Sequence, residues 1–254
     1  MQDLHHLLDV ISRSLPGLQG RIGHAGADLL VCGSEGNDRR IAALYQHWQQ
    51  AHPEAGPHYW TVRSWTYLVW QPIYLTLLGV HLAQRVPSLS SLGQAVQGGV
   101  VSGFCLPEHC PQQATEDQLI GLAASQLEQL LRRQHAEFCQ VQSIHGKLAQ
   151  RLAADYVLAA LLLVQRQLTL DNQQLRALAA RWLEALGLRG GSDLLEVRLD
   201  DGRDCLTLER KACCQHFRRG DGELCSTCPK LRRDERLLRL LRLLRLREEL
   251  ALAC

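Results

Sequence analysis

A chain of 254 residues, 46% hydrophobic and 21% charged, can bury a sizeable core as one large domain or two modest ones. That balance excludes a disordered or fibrous chain. A formal net charge of +2 is too mild to imply a nucleic-acid partner.

Residues 1–14 carry Asp3, His5, His6 and Asp9 where a secretory signal needs a basic end and an unbroken apolar run. A cytoplasmic location is therefore the expectation. Residues 20–36 are rich in glycine but lack the lysine and the residue order of a phosphate loop, and the chain shows no dinucleotide fingerprint. Aromatic residues gather between Tyr45 and Tyr74, with Arg63 among them. The most apolar long stretch, residues 66–83, is interrupted by Gln71, Pro72, Thr76 and His81. It reads as a buried, broken helix rather than a membrane span. Cys105 and Cys110 flank Leu-Pro-Glu-His and look like half a metal site with no second pair, so this segment reads as a loop with two incidental thiols.

The middle of the chain predicts helices. Residues 117–139 place Leu119, Ile120, Leu122, Ala123, Leu127, Leu130 and Leu131 at a period near 3.6, with Thr115 as the cap. Further helices are predicted over 144–167 and 172–186, the second capped by Thr169 or Asp171 and closed by Gly187. Residues 153–164 are apolar on nearly every face and should cross the middle of the core. After Gly190-Gly191 the period changes. Two short alternating runs around Asp200-Asp201-Gly202 predict a β-hairpin leading into a cysteine-rich loop.

From Leu231 the chain is nearly all leucine and arginine, with Leu237, Leu240, Leu241 and Leu244 forming one stripe of a helix. That helix either docks on the body with its arginines in solvent or lies on an anionic membrane surface. The fold class is mainly α (α+β): a helical body over 1–190, the hairpin and cysteine segment over 191–234, and a terminal helix over 235–254.

Ten cysteines need a reason in a reducing compartment, where disulfides are uncommon. Cys32, Cys105, Cys110, Cys139, Cys205 and Cys254 are scattered, whereas Cys213, Cys214, Cys225 and Cys228 share one short loop. Four thiolates so placed suit zinc or an iron–sulfur cluster. Adjacent cysteines chelate one small ion awkwardly, because neighbouring side chains of extended backbone point apart. Two irons relax that constraint, and the geometry leans towards a 2Fe–2S centre. A zinc site of Cys214, His216, Cys225 and Cys228 stays open, in a binding protein whose basic helix would contact nucleic acid or membrane.

The run from Cys213 and Cys214 through Cys225-Ser226-Thr227-Cys228-Pro229, a Cys-Cys-x10-Cys-x2-Cys spacing near the chain end, resembles the C-terminal signature of FhuF-type ferric-siderophore reductases. The specific likeness covers about residues 205–229. The long Leu/Arg helix after the cysteines is a departure from the pattern. The resemblance implies a 2Fe–2S cluster held by Cys213, Cys214, Cys225 and Cys228, a ferric siderophore as substrate, and an electron supplied by a ferredoxin-like protein or a separate reductase. It needs no catalytic side chain beyond the cluster. Candidate substrate contacts are Trp60, Arg63, Trp65, His145, Lys147, Arg218 and Arg219. The first three could line an aromatic pocket with a cation; core packing explains the rings equally well. His145 and Lys147 open a helix, where free amides attract anions. Arg218 and Arg219 belong to the basic surround of the cysteines, a surface that would also attract an acidic donor. The terminal helix adds an expectation of transient inner-membrane contact.

Overall fold

The structure, a computed structural model, describes residues 2–252, with side chains described from 3 to 246. It is mainly helical with small sheets. Helix α1 (Gln2–Ser14) buries Leu4, Leu7 and Ile11, which share one face at helical spacing. Strands β1 (Gly20–Ile22) and β2 (Leu30–Val31) follow, then α2 (Asn37–Ala51) and α3 (Gly56–Leu82). Strands β3 (Gly93–Gln97) and β4 (Val100–Leu106) complete a four-stranded sheet in the order β1-β4-β3-β2, with β1 parallel to β4 and the other pairs antiparallel.

This sheet is absent from the sequence reading, which made Cys105 part of a loop. Cys105 lies in β4, buried, and its thiol donates to the Gly23 carbonyl at 3.1 Å; Cys110 is exposed. β1 and β2 are too short for any alternation to show. The available signal was Gly98-Gly99, both at positive φ (57° and 76°), a two-residue turn joining β3 to β4.

The stretch expected to be a broken helix is buried as expected but belongs to the continuous α3, with Pro72 inside it. Proline has no N–H for the Leu68 carbonyl one turn back. Gln94 Nε2 of β3 donates to that carbonyl at 2.9 Å instead. The helix therefore runs through because a neighbouring strand supplies the missing donor.

Helix α4 (Glu116–Val141) starts where Gln118 Oε1 accepts from the Thr115 N–H at 3.2 Å. Its buried face holds the expected apolar residues except Leu122, which is 41% exposed. Helix α5 (Gly146–Leu168) packs along α3 with Ala153, Ala154, Val157, Leu158, Ala160, Leu161 and Val164 buried. It is the one helix among the described residues long and apolar enough to cross a membrane. Helix α6 (Asn172–Ala185) is capped by Asp171, which accepts from the Gln174 N–H at 2.8 Å. Gly187, at φ 64°, turns the chain out of it. Thr169, the other cap considered, closes α5 instead.

The hairpin forms as expected from β5 (Asp193–Arg198) and β6 (Asp204–Glu209). Helix α7 (Arg233–Leu252) docks beside it, with Leu240 buried and Leu237, Leu241 and Leu244 half-buried, while Leu238 faces solvent. The end of the 235–254 segment, including Cys254, lies outside the described residues.

Candidate metal centre

Strand β6 ends at Glu209 and delivers Arg210 to the start of the cysteine loop. That start is anchored to α5. Asp155, 3% exposed, accepts from the Ser192 hydroxyl, Ser192 Oγ accepts from the Lys211 N–H at 3.1 Å, and Arg210 Nε lies 3.6 Å from Asp155 Oδ2. Burial raises the Asp155 carboxyl to about 6, against the opposing pull of Arg210. Asp155 and Ser192 are absent from the sequence reading. The signal was there: Asp155 is the one charged residue in the apolar run 153–164.

Beyond Cys213 and Cys214, Gln215 adopts φ 59° and starts a tight turn over His216–Arg218. Gly222 then passes so close to the His216 carbonyl that a Cβ would meet its oxygen at 2.1 Å. The Gly220 N–H donates to Glu54 Oε1 at 3.0 Å, tying the loop to the segment before α3. At the far end the Cys228 N–H donates to the Cys225 carbonyl at 2.9 Å, which closes the Cys-x-x-Cys turn.

The four thiols gather together. Cys214 and Cys225 interact, Cys228 interacts with Cys213 and Cys214, and Cys225 also feels Cys228. The Cys-x-x-Cys turn thus brings Cys225 and Cys228 up to the adjacent Cys213 and Cys214. Cys225 is pushed down to about 6 by the bond from Cys214, helped by the Arg210 charge and the Thr227 hydroxyl and opposed by burial. Cys214 moves up, because its proton is held in that bond and burial disfavours the thiolate. Burial raises Cys228 as well.

Among the described residues, no three His, Cys, Asp or Glu side chains converge on one point as a single metal ion requires. A two-iron centre asks for something else, two thiolates for each iron, and the four gathered thiols provide the donor set that would hold it. The same space holds a buried donor suited to sulfur. A cavity of about 140 Å³ is lined by Cys214, Cys225, Arg63, Asp155, Arg210 and His216, among others. Arg210 Nε and Arg63 Nε are buried there without a hydrogen-bond acceptor. His216 sits beside Tyr59, ring centroids 6.4 Å apart, and burial lowers its pKa.

A larger cavity of about 780 Å³ lies between α5, β6 and α7. Ser226 and Thr227 form part of its wall.

Of the sequence-derived substrate contacts, Arg63 alone lines the small cavity, and none lines the larger one. Its guanidinium lies over Trp48 and Tyr67, 5.0 and 4.5 Å from the ring centroids. Trp60 and Trp65 are buried, their indole N–H groups donating to the carbonyls of His52 at 2.8 Å and Ala149 at 3.1 Å. These rings serve the core. His145 caps α5 by accepting from the Lys147 N–H at 3.2 Å, and both side chains are exposed. Arg218 bonds Gln215 at 2.9 Å, and Arg219 pairs with Asp221.

Residues 210–230 match the family model of the FhuF 2Fe-2S C-terminal domain. The segment matched contains all four clustered cysteines, and its cofactor is a 2Fe–2S cluster.

Proposed function

We propose that the protein reduces a ferric siderophore and so releases Fe(II), using a 2Fe–2S cluster held by Cys213, Cys214, Cys225 and Cys228. The observation that carries this reading is the gathering of those four thiols within the segment that matches a FhuF 2Fe-2S domain. When bound, the cluster supplies a carrier for one electron.

The chemistry asks little else of the protein. A siderophore holds Fe(III) through hard oxygen donors, and one added electron gives Fe(II), which those donors hold far more weakly. No acid, base or nucleophile is required. The chain has to orient four thiolates, limit the access of water to them and offer a surface that charged partners can find. Arg210 stands beside Cys214 and Cys225, where a positive charge favours the more negative, reduced state of a cluster. Around it Lys211, Arg218, Arg219, Lys230, Arg232 and Arg233 outnumber Glu209, Asp221, Glu223 and Asp234. That excess suits an acidic ferredoxin-like donor or reductase and an oxygen-rich chelate. Within this reading, 1–190 is the helical body that binds substrate together with the segments after it, 191–234 is the cluster segment, and the docked terminal helix turns its solvent face to the inner membrane from the cytoplasm. Arg63 is the one sequence-derived contact that shares a cavity with Cys214 and Cys225.

Anaerobic purification tests the reading through the visible spectrum, the EPR signal after dithionite, and iron, sulfide and zinc content. Two irons and two sulfides per chain, with oxidation of the reduced protein by a ferric siderophore, are expected. A colourless protein carrying stoichiometric zinc after iron-replete anaerobic expression overturns it.

A further inference from the structure

We propose that the ferric chelate seats in the cavity of about 780 Å³ between α5, β6 and α7, with the terminal helix as its roof. The proposal rests on the reductase reading and adds to it the place where substrate binds. Size is the first argument. A hexadentate iron chelate is a drug-sized ligand, and such ligands occupy pockets of roughly 300–1,000 Å³. The cavity beside Cys214 and Cys225, at about 140 Å³, is too small.

Position is the second. Ser226 and Thr227, between the two cysteines of the Cys-x-x-Cys turn, form part of the cavity wall. Thr227 Oγ1 lies 3.8 Å from Cys225 Sγ. A ligand touching that wall is one side chain away from a thiol of the centre, a separation that a single electron crosses readily.

The lining is the third. Arg166, Arg203 and Arg210 outnumber Asp171 and Asp204 in the lining and favour the oxygen donors around iron, while Leu240, Leu243 and Leu244 of α7 offer apolar surface for the organic arms. The roof is fastened on either side of these leucines. Arg236 pairs with Glu209 at 3.1 Å, and Arg245 pairs with Asp200. Both carboxylates belong to the hairpin, in β6 and in the β5–β6 turn. The ion pairs thus hold α7 across the cavity without filling it. This gives a role to the helix that departs from the family pattern.

Gallium(III) chelates test the seat, because gallium matches iron(III) in charge and closely in size but takes no electron. The probes are the gallium complexes of a linear trihydroxamate, a cyclic trihydroxamate and a tris-catecholate, titrated calorimetrically into the cluster-loaded full chain. Ala159→Trp narrows the floor and Leu244→Trp the roof, since both residues line the cavity. At least a tenfold loss of affinity is expected in either variant, with the visible spectrum and reoxidation by ferricyanide unchanged. Parental affinity in both variants overturns the seat. Hydrogen–deuterium exchange of the unaltered protein gives an independent reading. Protection by the bound complex over 159–166 and 240–244 supports the seat, and protection confined to other segments overturns it. If no gallium complex binds and no ferric counterpart oxidises the reduced, cluster-loaded parent, the reductase reading itself falls.

Discussion

Gln94 on β3 and Leu68 on α3 are joined by a hydrogen bond from Nε2 to the carbonyl at 2.9 Å, and that carbonyl is the one Pro72 leaves without a helical donor. Gln94 is 1% exposed, and its own Oε1 accepts from Gln134 Nε2 of α4 at 2.7 Å. One side chain thus repairs a helix and links the sheet to two helices. Removing it strands buried polar groups on both sides, and each stranded group costs about 1–3 kcal/mol. Gln94→Ala should therefore lower the unfolding free energy by about 2–4 kcal/mol. The same change should cost less in a Pro72→Ala background, where residue 72 regains its N–H. Denaturant unfolding of the four proteins checks this, and equal costs in the two backgrounds would remove the link to Pro72.

His81, buried in α3, accepts from Trp182 Nε1 through Nε2 at 2.8 Å, and burial lowers its pKa to about 4. A second proton on the ring would set two donors against each other, although Glu116, 3.6 Å from Nδ1, offers partial compensation. The folded pKa lies below the unfolded value of about 6.5. The stabilisation is therefore present above pH 6.5 and is lost as pH falls towards 4. Its size follows from the shift, about 3 kcal/mol. His81→Gln should flatten the stability profile between pH 6.5 and 4, and a variant that keeps the parental slope there would remove His81 as its source.

The helical body was legible because α4, α5 and α6 bury long runs at helical spacing, and their caps at Thr115 and Asp171 are local in sequence. The hairpin was legible for the same reason, its turn residues standing between two alternating runs. The four-stranded sheet was not. Only β3 and β4 are neighbours in sequence; β1 and β2 find partners across distant segments, as Gly20 does with Phe104, and carry too few residues to show a period. The continuity of α3 depends on Gln94, a residue outside the helix, so no pattern within the helix could reveal it. At the centre, cysteine spacing was enough to find the loop. The anchoring by Asp155 and Ser192 needed three dimensions, because α5 and β5 meet only in the fold.

Gly222 and Gly220 provide a paired test of the loop. A Cβ on Gly222 would lie 2.1 Å from the His216 carbonyl oxygen, backbone that cannot swing aside. On Gly220 the nearest neighbour would be Glu54 Oε1 at 3.8 Å, an ordinary contact at the end of a flexible side chain. Gly222→Ala should cost about 1–3 kcal/mol, as overpacking does, and lower the iron retained on gel filtration. Gly220→Ala should leave iron content and melting temperature near the parental values. Equal behaviour of the two variants would show that the close approach at Gly222 does not shape the loop.

The gathering of the four thiols allows a sharper test than the sequence spacing alone. If Cys213 with Cys228 serve one iron and Cys214 with Cys225 the other, each taking one cysteine from the adjacent pair and one from the Cys-x-x-Cys turn, serine variants should fall into two classes. Every single Cys→Ser change should cripple the centre, with most of the visible absorption lost, because an alkoxide or hydroxyl replaces a soft thiolate. Where residual centres survive, the reduced EPR signals of Cys213→Ser and Cys228→Ser should resemble each other, since the same iron has lost a sulfur. Cys214→Ser and Cys225→Ser should share a second signal, shifted from the first because Arg210 lies beside that pair. Four unrelated signals would break the pairing while leaving the ligand set intact. A serine variant that keeps full iron content and the parental spectrum would remove that cysteine from the set.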